Sequence, residues 1–131
     1  MPRPLASPRA SMPEPLPPPD DLAGLHQEAL EATEPRDSAR AEPRLRTLLD
    51  RIPAAPPGPR RDAVAAILHA GLSATLRGRG ALREALDHGL AAEGLAEQGG
   101  DPEARARATL AVAHVFFQWA TWTRRAAAWP G

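Results

Sequence analysis

From Leu22 onward, apolar residues recur at helical intervals, and no stretch alternates with period two over a useful length. Leu22, Leu25 and Ala29 mark the face of a first helix, with Asp20 and Asp21 placed to cap its start and Glu34-Pro35 to end it. Leu45, Leu48, Leu49 and Ile52 form an i, i+3, i+4, i+7 stripe on a second helix, which Asp37 or Ser38 can cap. Pro43 interrupts that start: either the regular part begins near Glu42, with the proline in the first turn, or the helix is kinked there. Asp62 then caps a third helix carrying Val64, Ile67, Leu68, Gly71 and Leu72, which Gly78-Arg79-Gly80 stops. A fourth helix runs from Ala81 to about Gln98 with Leu82, Leu86, Leu90 and Leu95 among its apolar positions, and Gly99-Gly100 terminates it. Asp101-Pro102-Glu103 supplies, in order, a side-chain cap, a first-turn proline and a charge suited to the helix dipole. The fifth helix so marked carries Leu110, Val112, Ala113, Val115, Phe116 and Phe117.

Composition changes this picture mainly at the N-terminus. Eight of the 16 prolines fall between Pro2 and Pro19, where Leu5, Met12 and Leu16 are the only large apolar residues. Such a segment buries too little apolar surface to offset its chain entropy, so residues 1–19 are expected to form a disordered leader. Residues 20–52 form a helix pair, residues 53–59 (four prolines and a glycine) a linker, and residues 60–128 the main helical region. Prolines also break every run that could serve as a secretory signal, which makes cytoplasm the expected location. The chain has no cysteine, so disulfides and thiolate metal sites are excluded. Its 16 basic residues, all arginine, balance 16 acidic ones, leaving no positive surplus to attract a nucleic-acid backbone.

The order helix, glycine turn, helix, capped turn, helix suggests an internal period, and aligning Ala70-Gly71 with Val112-Ala113 sets it at about 42 residues. In that register Ala74 falls on Phe116. With Gly71, Gly78, Leu82, Ala85 and Ala92 in one unit, and the link Leu95-Ala96-Glu97-Gln98-Gly99-Gly100-Asp101-Pro102 after it, residues 60 to 117 resemble the tetratricopeptide repeat. The variety resembled is the longer bacterial one found beside the output domains of signalling proteins. The chain departs from that pattern by about two extra residues near Arg79-Gly80 and by Ala74 where an aromatic is usual. The resemblance implies a short antiparallel helix-hairpin solenoid, all-α, in which Gly71 packs against the second helix of its own unit and Gly78 lies in the turn. Residues 20–52 would be a preceding degenerate repeat. It also implies a non-catalytic scaffold, a remnant of a larger signalling or regulatory protein, that binds a protein or peptide on a concave surface.

All three tryptophans, Trp119, Trp122 and Trp129, lie in the last thirteen residues. They can anchor a partner or a membrane interface, or cover the end of the core. The genetic code offers another account. Tryptophan has the single codon TGG, so a shifted frame turns Trp119-Ala120 and Trp122-Thr123 into Gly and Asp. With G or C at the intervening third bases, the stretch from Gln118 then reads Val-Gly-Asp-Leu-Asp-Ala-Ala, the form of an interhelix turn in these repeats. The expectation is that residues from about Gln118 are the product of a frameshift that truncates a longer repeat array. An incomplete array leaves an apolar face on its last helix, which predicts self-association.

Little in the chain suggests chemistry. Among His26, His69, His88 and His114, only His88 has a carboxylate, Glu84, at helical ligand spacing, and an exposed i, i+4 Glu-His pair is ordinarily a solvated contact. Ser38 and Ser73 lack a nucleophile elbow, and Gly78-Arg79-Gly80 has neither the length nor the preceding strand of a dinucleotide loop. No catalytic, cofactor-binding or metal-ligating residue is assigned, no cofactor is implied, and no individual binding residue is named. The clusters Arg44-Arg46-Arg51 and Arg60-Arg61 read as a solvated face, with an acidic partner as the other possibility. Residues 108 to 123 carry no formal charge but are too short and too polar to span a bilayer. Leu72, Leu86, Leu90, Val112 and Phe116 are expected in the core and inter-unit surfaces. The other reading is a small amphipathic helical protein whose tryptophan-rich end docks on a membrane surface or on its own copies.

Overall fold

A computed structural model describes residues 22–33 and 38–128. The proposed leader, the caps Asp20, Asp21 and Asp37, the Glu34-Pro35 stop and Trp129 lie outside them. Among the described residues the fold is all-α. It comprises α1 (Leu22–Ala32), α2 (Ser38–Arg51), a 3₁₀ turn (Ile52–Ala54), α3 (Pro59–Gly78), α4 (Leu82–Gly99) and α5 (Pro102–Ala128).

In the first pair, α1 buries Leu25 and Ala29 completely, and α2 buries Leu45, Leu48 and the following Ile52, with Leu49 half-buried, as the stripe predicts. α2 is helical from Ser38 and carries Pro43 inside it, so its regular part does not wait for Glu42 and the proline is not in the first turn. The proline costs that turn one backbone bond, which the apolar stripe behind it offsets.

Asp62 does not cap α3. Gly58, at φ 146°, is the residue before the helix, Pro59 occupies the first turn, and the Asp62 amide already donates to the Gly58 carbonyl at 3.0 Å. Proline is pre-set for that position and its missing amide is one the helix would leave unpaired in any case. Asp62 is left as a favourable charge in the first turn. The expected linker is correspondingly shorter, since the 3₁₀ turn takes up its first residues and α3 takes Pro59.

α3 is the central helix. Ala63 to Leu68, Ala70 to Ser73, Thr75 and Leu76 are all buried, nearly the full circumference, because α1 and α2 lie against it from one side and α4 and α5 from the other. The helix ends where Gly80, at φ 84°, returns its amide to Arg77 and Ala81 returns its amide to Leu76, a Schellman closure. α4 ends with the simpler left-handed cap, Gly100 at φ 75° donating its amide to the Ala96 carbonyl at 2.8 Å. Asp101 then caps α5 by accepting the Ala104 amide at 2.9 Å, as its sequence predicts.

One apolar cluster runs from Leu25 on α1 to Ala111 on α5, and a smaller one joins Leu76, Ala85 and Val115 near the α3–α4 turn. α4 and α5 contribute mostly alanine: Ala85, Ala92, Ala96, Ala104, Ala108 and Ala111 are buried. Small side chains allow close helix approach, and Gly89 is where α5 comes nearest, since a Cβ there would lie 3.0 Å from Val112. Gly71 faces away from α4. A Cβ on it would meet Thr33 at 2.7 Å and Leu45 at 3.3 Å, so this glycine admits α1 and α2 rather than the following helix. Ala113, its counterpart at the 42-residue offset, is exposed.

Two expected core positions need correction. Leu90 is 49% exposed and Phe116 54% exposed, whereas Leu72 and Val112 are buried and Leu86 is half-buried. α4 and α5 meet along their alanine faces, which turns Leu90 and Phe116 outward.

Candidate functional site

His69 on α3 and His88 on α4 meet across the helix interface, their Nδ1 atoms 2.9 Å apart and their rings stacked at 5.1 Å. One Nδ1–H donates to the other, which fixes opposite tautomers on the two rings. Burial, and then the neighbouring His88, push His69 down from 6.5 to about 4. His88 is lowered too, by burial and by the Arg46 cation, against the opposing pull of Glu84, Asp87 and Glu42. The two rings are 19 positions apart in sequence, so no ligand-spacing rule finds them. Only the register of α3 against α4 does.

Glu84, the carboxylate with helical spacing to His88, bonds instead to Arg46 at 3.0 Å. Arg46 also bonds Glu42 at 3.1 Å, Arg79 pairs with Glu42, and the four side chains tie α2 to the start of α4 and to the α3–α4 turn. Arg44 pairs with Glu31 and Arg51 with Glu28, each at 3.3 Å. The arginine cluster is therefore taken up by the protein's own glutamates, which leaves little of it for an acidic partner. Among the described residues no three His, Asp or Glu side chains are grouped as a metal site, and no helix is long and apolar enough to cross a membrane. His114 is exposed on α5, and His26 lies 3.9 Å from Glu103.

The remaining feature is the surface of α5, which carries two apolar stripes. One, at Ala104, Ala108, Ala111 and Val115, follows alternating steps of four and three and is buried. It continues through Gln118, bonded to Arg77, to Trp122, whose ring lies 3.3 Å from where a Cβ on Gly80 would stand. Nothing matches. Neither protein-family models, nor curated proteins, nor solved structures give a relative of this chain.

The second stripe lies on the opposite side of α5. Ala106, Leu110, Ala113, Phe117 and Ala120 repeat at the same alternating steps, with Phe116 beside them, and every one is exposed. Leu110 is 56% and Phe117 70% exposed, although no charged residue lies between Ala108 and Thr123 to solvate that face. Next to it, Trp119 and Trp122 wall an open groove of about 800 Å³ floored by Ala81 and Leu82 and edged by Arg83 and Asp87. Trp119 and Trp122 thus turn toward the α3–α4 turn, while Phe116 and Phe117 turn away. Sequence periodicity shows that α5 is apolar but not that it has two faces, because both faces obey the same spacing.

Proposed function

We propose that this protein is a non-catalytic helical scaffold that binds a protein or peptide partner, of the kind that tetratricopeptide repeats represent. The outer face of α5 is its docking surface. The observation that carries the reading is the second stripe: Leu110 and Phe117, at helical spacing on a 27-residue helix, stand in solvent with no charged side chain among them. Contiguous exposed apolar surface of this sort marks interaction sites, and a helical partner with i, i+3, i+4, i+7 anchors is the shape that complements it. The Trp119–Trp122 groove adjoins that face and adds aromatic surface, the residue type enriched at binding hot spots. The histidine pair and the Arg46 network serve the scaffold by joining α2, α3 and α4.

The experiment is a selection of helical peptides from a random library on the immobilised protein, followed by Leu110→Glu/Phe117→Glu. Both side chains are exposed, so the double variant is expected to keep its helicity and to lose the selected peptides. Peptides that bind the variant as well as the parent would overturn the reading.

A further inference from the structure

We infer that the partner of the α5 face is a second copy of this chain, docked antiparallel about a two-fold axis that passes between Ala113 and His114. The inference rests on the binding reading above and names its occupant. The exposed stripe does not stop at its apolar residues. Three positions before Ala106 stands Glu103, and four after Ala120 stands Arg124, both exposed and both continuing the alternating three-and-four spacing. The face is therefore an apolar strip with an acid at one end and a base at the other.

Reversing a copy of that strip about its middle makes it complementary to itself. Position 110 falls on 117 and position 103 on 124, so Leu110 of each copy meets Phe117 of the other and Glu103 of each meets Arg124 of the other. Position 113 falls on 114 in the same register, so the small Ala113 side chain meets His114 beside the axis and leaves room for the two helices to approach. The antiparallel sense also sets the macrodipoles head to tail, with each arginine near a helix C-terminus beside the acidic first turn of its counterpart. A parallel pair would instead bring Glu103 to Glu103 and Arg124 to Arg124, which is repulsive at both ends. Among the described residues Arg124 has no partner within its own chain, and Glu103 holds Arg107 at 3.3 Å and lies 3.9 Å from His26 while keeping 47% of its side chain exposed. A two-fold contact of this kind is the commonest form of closed assembly.

The test is sedimentation equilibrium of the full chain over a wide concentration range, with charge reversals. The parent is expected to be a dimer at about 100 µM. Glu103→Arg and Arg124→Glu are each expected to weaken the dimer about tenfold, because each places like charges in contact twice. The double reversal is expected to restore it, which neither a generally sticky face nor a parallel pair would do. A parent that stays monomeric throughout, or a double reversal no better than the single ones, overturns the inference. The peptide selection still decides the binding reading in that case, since it reads a different ligand on the same face.

Discussion

Val112 Cγ2 lies 3.0 Å from the point where a Cβ would stand on Gly89, and the Ser73 hydroxyl lies 3.3 Å from the same point while donating to the Ala85 carbonyl at 2.7 Å. Three helices thus converge on one missing side chain. A methyl group there crowds the Val112 side chain on α5 and the hydrogen-bonded Ser73 hydroxyl on α3, each of which must give by a few tenths of an ångström. Gly89→Ala is therefore expected to destabilise the fold by about 1–3 kcal/mol despite alanine's better helix propensity. Gly94, on the same helix, has open space around it, so Gly94→Ala is expected to stabilise by about 0.5–1 kcal/mol. Urea unfolding of the two variants measures both signs, and equal effects would contradict the packing described.

Ser73 makes a separate prediction. Its side chain is fully buried and its single hydrogen bond joins α3 to the backbone of α4. Ser73→Ala removes the donor and is expected to cost about 1 kcal/mol, and the Gly89→Ala penalty should shrink in its presence because one of the crowding atoms is gone. A double-mutant cycle reads that coupling.

Acid stability follows from the histidine pair. The folded value of His69, about 4, is below its ordinary 6.5, so between those values the unfolded chain binds more protons than the folded one. This contribution is fully present above 6.5 and is lost as the pH falls toward 4. Allowing for the solvent that reaches the ring, the loss is on the order of 1–2 kcal/mol. The lowered His88 acts in the same direction. His69→Gln should flatten the pH dependence of the urea midpoint across that window, and an unchanged slope would show that the pair does not set acid stability.

The Asp101 cap should behave locally. Its carboxylate accepts the Ala104 amide at 2.9 Å, and Asp101→Ala is expected to cost about 1 kcal/mol while Asp101→Asn costs much less. Thermal unfolding followed by circular dichroism distinguishes them.

The parts of this fold that sequence makes legible are those written in local chemistry. Gly100 and Asp101-Pro102 mark the α4–α5 boundary correctly because caps depend on a few adjacent residues. Pro59 and Asp62 compete as start signals for α3, and the proline prevails because its ring geometry suits the first turn whatever follows. The all-α class is legible too, whereas the packing partner of Gly71 is not, since a small residue says that something comes close without saying which helix. The His69–His88 contact depends on the register of two helices, and the exposure of Leu90, Leu110, Phe116 and Phe117 depends on which alanine faces meet. Apolar periodicity is blind to that choice when a helix is apolar on opposite sides.

The chain has no cysteine, which makes one measurement direct. Ala113→Cys places a single thiol on the exposed stripe at the inferred two-fold axis, and Thr47→Cys places one on the exposed side of α2 as a control. Mild oxidation is expected to convert Ala113→Cys rapidly and nearly completely to a disulfide-linked dimer, while Thr47→Cys stays largely monomeric. Equal, slow cross-linking of the two variants would show that the outer face of α5 is not a surface on which copies of this protein meet.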